Sequence, residues 1–275
     1  MPIALTASLP ASTCGPGTAA TLTLLAGFDV RSTSAHGPAP ASTHRLIAYV
    51  GLHPGASRAR VAGSLWPDVP DRAAAARLRT TLWRLGCWSE SVVGVQAGHL
   101  IVDSTMSIDV DELASRASRL QRHHLRDADV EVLLHGDGGL LPDWPDEWVQ
   151  PERERVRQMW LHALEDLAVL LLHAGRLAAA IQAVHVALRA DPLRETPHRI
   201  LLDALLAEGN RSEALRHADR YRRLLREELG IEPSPLLLAV VDDLLRPTWR
   251  TLGRRAPGAA VAPAPRDSPP RRCRP

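Results

Sequence analysis

The sequence predicts a mainly α-helical protein: an N-terminal winged helix-turn-helix followed by an all-α helical-repeat domain. Two observations carry this prediction. The stretch Val61–Leu85 reads as a short helix, a turn through Pro67-Asp68 and a longer arginine-rich helix, which is the order of a helix-turn-helix. Further along, Gly175 and Gly209 stand 34 residues apart between helical segments. A glycine recurring between two helices with that period is typical of tetratricopeptide repeats.

Charge is distributed unevenly along the chain. Residues 20–105 carry 8 Arg and 5 acidic residues, and residues 106–245 carry 17 Arg and 25 acidic residues. The last thirty residues carry 8 Arg and 1 acidic residue, although the net charge of the whole chain is only +2. A basic front followed by an acidic middle predicts one module for an anionic partner and another for protein contacts.

The sequence shows no sign of secretion, membrane insertion or catalysis. Its three cysteines are far apart, which suits a reducing compartment, and its longest apolar run, around Ala168–Leu172, is too short to span a bilayer. The motifs GxSxG, GxxxxGK[ST] and HExxH are absent, and the histidines lack metal-site spacing. We therefore expect a cytoplasmic, nucleoid-associated protein that is not an enzyme and uses no cofactor or metal.

The first predicted elements lead up to the helix-turn-helix. Thr21–Arg31 is β-like, with Gly27 at a bulge. Ser42 or Thr43 caps a helix through HRLIAYVGL, and Ser57 caps a second helix, RARVAGSLW. Pro67 ends the second helix, because proline has no amide hydrogen and disfavours helix in the residue before it.

The third helix and a hairpin complete the predicted first domain. Asp68–Asp71 form the turn and supply a negative cap, the helix runs over Arg72–Leu85, and Gly86 ends it. In VVGVQAGHLIVD, two apolar runs flank Gln96-Ala97-Gly98. That pattern predicts a hairpin, the wing of a winged helix-turn-helix.

From Ile108 onward the pattern is helical. Asp109 caps a helix through DELASRASRLQRHHL, and a loop, HGDGGLLPDWPDEW, precedes a long helix over Pro151–Ala174. Two helical hairpins are predicted at 152–190 and 195–229, with a capping helix over Pro233–Leu245. The predicted domains are a winged helix-turn-helix at 21–105 and a helical-repeat domain at 106–246, between disordered segments at 1–20 and 247–275.

The third helix carries the candidate functional residues. Leu78, Leu82 and Leu85 form one apolar stripe. The other sides present Arg72, Arg77, Arg79, Thr80, Trp83 and Arg84. Arginine can bind guanine or a phosphate, and threonine suits a phosphate or a thymine methyl.

We expect the candidate side chains to contact different parts of the DNA. Arg77, Thr80 and Arg84 are predicted to read bases, while Arg45, Arg58, Arg60 and Arg72 hold phosphates. For this helix the alternative is an amphipathic helix with a solvated arginine-rich face. Trp66 and Trp83 are interpreted as packing residues, with Trp83 partly exposed at the groove.

Several blocks together resemble a known family. They are HRLIAYVGLHPG, RARVAGSLWPD, RAAAARLRTTLWRL, LLPDWPDEWV, ERERVRQ and the run from ADPLRE to EELGIEPSP. Over about residues 21–246 the chain resembles the Streptomyces antibiotic regulatory proteins, which join an OmpR/PhoB-type winged helix to a bacterial transcriptional activator domain of tetratricopeptide type. The resemblance implies an activator of biosynthetic genes that binds promoter direct repeats in double-stranded DNA and contacts RNA polymerase. It also places the recognition helix on Arg72–Leu85.

Two other function classes stay open at the level of sequence. One is a helical-repeat adaptor for protein partners whose first domain does not bind DNA, which the modest charge of that domain favours. The other is a small-molecule sensor that uses the repeat domain. A DNA-binding protein differs from an adaptor in losing affinity steeply with salt, through counterion release. Homodimerisation through the acidic repeat domain is a further expectation.

Overall fold

The computed structural model describes residues 20–32, 37–89, 92–136 and 138–245. The segments for which disorder is expected, 1–20 and 247–275, lie outside the described residues apart from Ala20. None of the described helices is both long and apolar enough to cross a bilayer.

The order of elements confirms the predicted fold class. The N-terminal part contains, in chain order, β1 (Thr21–Thr23), β2 (Asp29–Arg31), α1 (Ala41–Leu52), β3 (Ala56–Ser57), α2 (Arg58–Leu65), α3 (Asp71–Trp88), β4 (Val93–Gln96), β5 (His99–Val102) and β6 (Ser107–Ile108). The helical part contains α4 (Asp109–Gln121), α5 (Asp127–His135), α6 (Val149–His173), α7 (Leu177–Ala190), α8 (Glu195–Ala207), α9 (Arg211–Leu229) and α10 (Pro235–Leu245). The sequence did not single out α5.

The first β-like stretch is two strands rather than one. β1 and β2 pair antiparallel, and the chain reverses through Ala26 and Gly27, with φ of 59° and 152°. Gly27 therefore lies in a turn and not at a bulge. On its other edge β1 pairs in parallel with β6, so the sheet order is β2-β1-β6.

Of the predicted caps of the first domain, that of α1 is wrong and that of α2 is confirmed, while at α3 the expected negative charge is present in the first turn, on Asp71. Pro40 occupies the N-cap of α1, and Thr43 lies buried inside the first turn, where its hydroxyl donates to the Pro40 carbonyl. Ser57 does cap α2, accepting the Arg60 amide at 3.2 Å. Pro70 is the N-cap of α3, and Asp71 is the first helical residue without a side-chain capping bond.

Helix α3 continues past the glycine that was expected to end it. Gly86 is helical, and α3 runs to Trp88, which is buried and donates its indole N–H to the Gly37 carbonyl at 2.9 Å. A buried tryptophan outweighs the helix propensity of one glycine, which costs about 1 kcal/mol. Tertiary packing therefore sets this end of the helix.

The hairpin predicted behind α3 is present. β4 and β5 pair antiparallel, with Gln96 opposite His99, across a two-residue turn at Ala97 and Gly98. Both turn residues have positive φ, 50° and 84°, as two-residue hairpins of the tightest type require. β3 joins the other edge of β5, which ties the wing to the start of α2.

Asp109 has a role other than the predicted cap of α4. Ile108 occupies the N-cap position, and the Asp109 carboxylate instead accepts the amides of Leu24 and Leu25, at 2.9 and 2.8 Å. Burial raises the pKa of this carboxyl, although the amide hydrogen bonds act in the opposite direction. The start of α4 is thereby fastened to the end of β1.

The helical repeats form as predicted. The helical hairpins are α6–α7 and α8–α9, and the turn glycines Gly175 and Gly209 have φ of +72° and +80°. Arg194, in the connection between the hairpins, forms a buried ion pair with Glu165 and a 2.7 Å hydrogen bond to Gln158. These bonds hold the start of α8 against α6.

Candidate nucleic-acid interface

One face of α3 is built into the core. Ala74, Leu78, Thr81, Leu85 and Trp88 are buried, at the three- and four-residue spacing of a single helix face. Leu82, predicted to lie on the inward stripe, is only half-buried, and Thr81 takes the more central place. The Thr81 hydroxyl is compatible with burial because it donates to the Arg77 carbonyl at 3.0 Å.

The remaining surface of α3 is exposed and predominantly cationic. The exposed residues include all the candidates placed on this helix: Arg72, Arg77, Arg79, Thr80, Trp83 and Arg84. The interpretation of Trp83 as a packing residue is wrong, since 70% of it is exposed. Trp66 is partly buried against the core, as predicted.

A groove separates α3 from the start of α1. Its volume is about 490 Å³, and its lining includes Arg45, Arg77, Thr80 and Arg84. Among the described residues that line it, the charged ones are all arginines. The groove thus brings together four of the candidate DNA contacts.

The other candidates lie outside this groove. Arg58 and Arg60 are exposed in the first turn of α2, and Arg72 and Arg79 are exposed elsewhere on α3. The wing adds an exposed Val95, at 50%. Two exposed polar side chains, Gln96 and His99, flank the turn of the wing.

Arg45 is the candidate whose surroundings differ most from the sequence-based expectation. Its guanidinium Nη2 forms an ion pair with Asp146 Oδ1, with 42% of the arginine side chain and 11% of the aspartate side chain exposed. Asp146 belongs to the segment between α5 and α6, about a hundred positions away in the sequence. The sequence signal for this contact was a pair of acidic residues, Asp146 and Glu147, between the two tryptophans of LLPDWPDEW.

Comparisons with known proteins match this architecture. The model of the bacterial transcriptional activator domain matches residues 107–245. The chain belongs to this family. It is 30% identical over 202 residues to the regulatory protein AfsR of Streptomyces griseus, covering 69% of this chain and 21% of that protein. It is also 30% identical over 213 residues to AfsR of Streptomyces coelicolor, covering 73% of this chain and 22% of the relative.

These matches confirm the resemblance to the antibiotic regulatory proteins and identify a transcriptional regulator. The chain spans about a fifth of the length of both AfsR relatives. A solved structure, Mycobacterium tuberculosis EmbR in complex with a low-affinity phosphopeptide, superposes with a TM-score of 0.62. The alignment covers 82% of this chain and 65% of EmbR at 20% identity, and it shows a shared fold.

The bacterial transcriptional activator domain contacts the helix-turn-helix through the segment before α6. The ring of Trp144 is tilted against that of Phe28, with centroids 5.5 Å apart, and Trp148 meets Tyr49 edge-on at 5.0 Å. His53 Nε2 lies 3.2 Å from Glu152 Oε1. Together with the Arg45–Asp146 pair, these contacts fix the activator domain directly against α1.

Proposed function

We propose that the chain is a sequence-specific DNA-binding transcriptional regulator that inserts α3 into the major groove. The observation that carries the proposal is the division of α3. One face is buried by apolar residues, and the other exposes Arg72, Arg77, Arg79, Arg84 and an unpacked Trp83. A helix held in this way behind a short helix and a turn, with a hairpin following it, has the arrangement of a winged helix-turn-helix.

The proposed DNA contacts extend beyond α3. The full set is Arg45, Arg58, Arg60, Arg72, Arg77, Arg79, Thr80, Trp83 and Arg84. We keep the division into a DNA-binding domain at 21–105 and an activator domain at 106–246 as part of the proposal. The same holds for promoter direct repeats at a biosynthetic gene cluster and for contact with RNA polymerase, both of which rest on the resemblance. Homodimerisation through the acidic repeat domain and location at the nucleoid are also part of the proposal.

Selection from a random duplex library tests DNA binding directly. The full chain is expected to enrich a defined sequence and to bind it more tightly than a permuted duplex of the same composition. The double variant Arg77→Ala/Arg84→Ala should lose this binding while keeping its helical circular dichroism. Arg189→Ala, which removes an exposed arginine from α7, is the matched control and should bind as the wild type does.

Salt separates this function from that of a protein adaptor. If α3 contacts several phosphates, the logarithm of the affinity falls linearly with the logarithm of salt concentration. No enriched sequence, or equal binding by wild type and double variant, would refute the proposal and favour a protein-binding adaptor.

A further inference from the structure

The geometry points to an assignment of phosphate-binding and base-reading residues on α3 that differs from the one expected from sequence. Arg77, Arg84 and Arg45 together bind the DNA phosphate backbone. The activator domain controls the contribution of Arg45 through Asp146. Base reading then falls to Thr80 and Trp83. This inference rests on the proposed function, since it assigns roles within the same interface.

Position around the helix separates Arg77 and Arg84 from Trp83. Arg77 and Arg84 are seven residues apart, about two turns, and both line the groove that faces α1. They lie on a shoulder of α3, beside its buried stripe. Trp83 does not line that groove, and it is the most exposed large apolar side chain of the described residues. Trp83 therefore stands on the outermost ridge of α3, and Thr80, three residues earlier, lies between this ridge and the groove, whose lining it also joins.

A helix in the major groove presents these surfaces to different parts of the duplex. The groove is about 12 Å wide, close to the 10–12 Å diameter of a helix with its side chains. The outermost ridge therefore meets the base edges, while the shoulders meet the phosphates on either side. Ala76, four residues before Thr80, has a small side chain, which lets the helix approach the base edges closely.

The charges of the groove fit an anion. Its lining includes three arginines, and no carboxylate is found among its described lining residues. Neither Arg77 nor Arg84 has an ion pair with a described residue, so both cations are available to a ligand. A phosphate suits such a site because its oxygens accept several N–H donors at once.

Arg45 differs because a carboxylate already holds it. The guanidinium carries five N–H donors, of which Nη2 is paired with Asp146, while Nε is buried without a hydrogen-bond partner among the described residues. Asp146 lines the neighbouring cleft of about 800 Å³, whose lining also includes Arg45 and Arg77. Its negative charge therefore reduces the attraction that Arg45 exerts on a phosphate in the groove.

Affinity and salt dependence distinguish phosphate contacts from base contacts. Losing a phosphate contact weakens binding to all sequences alike and lowers the salt slope by about one. Losing a base contact changes the preference for one sequence over another. The probes are the duplex enriched from the random library and its permuted counterpart, each titrated with the full-length chain over a range of salt concentrations.

We expect Arg77→Gln and Arg84→Gln each to weaken binding to both duplexes by the same factor, roughly tenfold, and to lower the salt slope by about one. Thr80→Val should instead bring the two affinities closer together. Asp146→Asn should tighten binding to both duplexes equally and steepen the salt slope. Asp143→Asn, which removes the same charge from an exposed site in the same segment, is its matched control and should change neither quantity.

A double variant tests whether Asp146 acts through Arg45. Adding Arg45→Gln to Asp146→Asn should abolish the gain in affinity, and thermal unfolding checks that each variant is folded. The inference is overturned if Arg77→Gln or Arg84→Gln alters the ratio of the two affinities, or if Asp146→Asn behaves like Asp143→Asn. A wild-type chain with no salt-dependent DNA binding would refute the proposed function instead.

Discussion

Two tryptophans on α3, five residues apart, show how position decides the role of a side chain. Trp83 is 70% exposed, whereas Trp88 is 6% exposed and donates a hydrogen bond to the Gly37 carbonyl. Helical spacing places the first near the outermost ridge and the second on the inward face. The same residue type therefore serves a binding surface in one case and the core in the other.

Substituting each tryptophan by alanine should separate binding from stability. Trp83→Ala removes no buried contact, so the free energy of unfolding should change by less than about 0.5 kcal/mol, while DNA affinity falls about tenfold. Trp88→Ala is the matched control on the same helix and should cost about 3–5 kcal/mol, as for a buried aromatic. Denaturant unfolding and duplex titration measure the two quantities. A loss of stability in Trp83→Ala comparable to that in Trp88→Ala would contradict the assignment.

At the scale of elements, periodicity predicted the helices well and their ends poorly. The buried faces of α3 and of the repeat helices follow from three- and four-residue spacing. Helix ends depend on contacts from distant segments: Trp88 extends α3 past Gly86, and Asp109 bonds to the end of β1 instead of capping α4. No local pattern encodes such partners.

Helices α8 and α9 meet through two hydrogen-bonded histidines, of which His198 is buried and His217 is partly exposed. His198 Nδ1 lies 2.9 Å from His217 Nε2, and His198 Nε2 lies 2.8 Å from the Pro192 carbonyl oxygen. Burial is the main cause that lowers the pKa of both rings, and it brings the pKa of His217 to about 4. Positive charge on His198, Arg220 and His185 acts in the same direction on His217.

This pair makes the stability of the repeats depend on pH. An unfolded histidine has a pKa near 6.5, so the unfolded chain binds the proton more readily than the folded one. Stability is therefore complete above that value and falls as the pH drops toward about 4. Allowing for solvent screening at this partly exposed ring, we expect a loss of roughly 1–2 kcal/mol over that window.

Denaturant unfolding at neutral and mildly acidic pH measures the effect. His217→Gln keeps an N–H donor for His198 and should remove most of the pH dependence. His173→Gln, at an exposed position, should leave it intact. An unchanged dependence in His217→Gln would show that other groups cause it.

For the whole molecule, sequence patterns predicted the two kinds of architecture but not how they join. The helix-turn-helix and the 34-residue period are local patterns, so they could be read directly. The joint is built from long-range contacts, among them β1 with β6, Leu25 with Leu140, and Arg45 with Asp146. The sequence shows that a candidate such as Arg45 is cationic. It does not show that a carboxylate pairs with it, because that contact forms only when the chain folds.

One side chain of α6 organises the activator-domain side of this joint. Arg153 donates from Nε to the Leu140 carbonyl at 2.9 Å and from Nη2 to the Trp144 carbonyl at 2.7 Å. Nη2 also contacts the carbonyls of Leu141 and Pro142. The guanidinium thus fixes the backbone of the segment before α6. That segment presents Trp144 and Asp146 to the helix-turn-helix.

Because that segment couples the helix-turn-helix to the activator domain, the wild-type chain should unfold in one cooperative transition. Its calorimetric and van't Hoff enthalpies of unfolding should then be equal. Arg153→Met keeps the apolar stem but removes every donor to the four carbonyls, which should cost roughly 3 kcal/mol. The helix-turn-helix should then unfold separately and at lower temperature, giving two transitions in differential scanning calorimetry. Arg155→Met, on the same helix, removes an ion pair with Glu152 in which the arginine side chain is half exposed, and it should shift stability by less than about 0.5 kcal/mol. A single, unshifted transition in Arg153→Met would show that the remaining contacts suffice to couple the two parts.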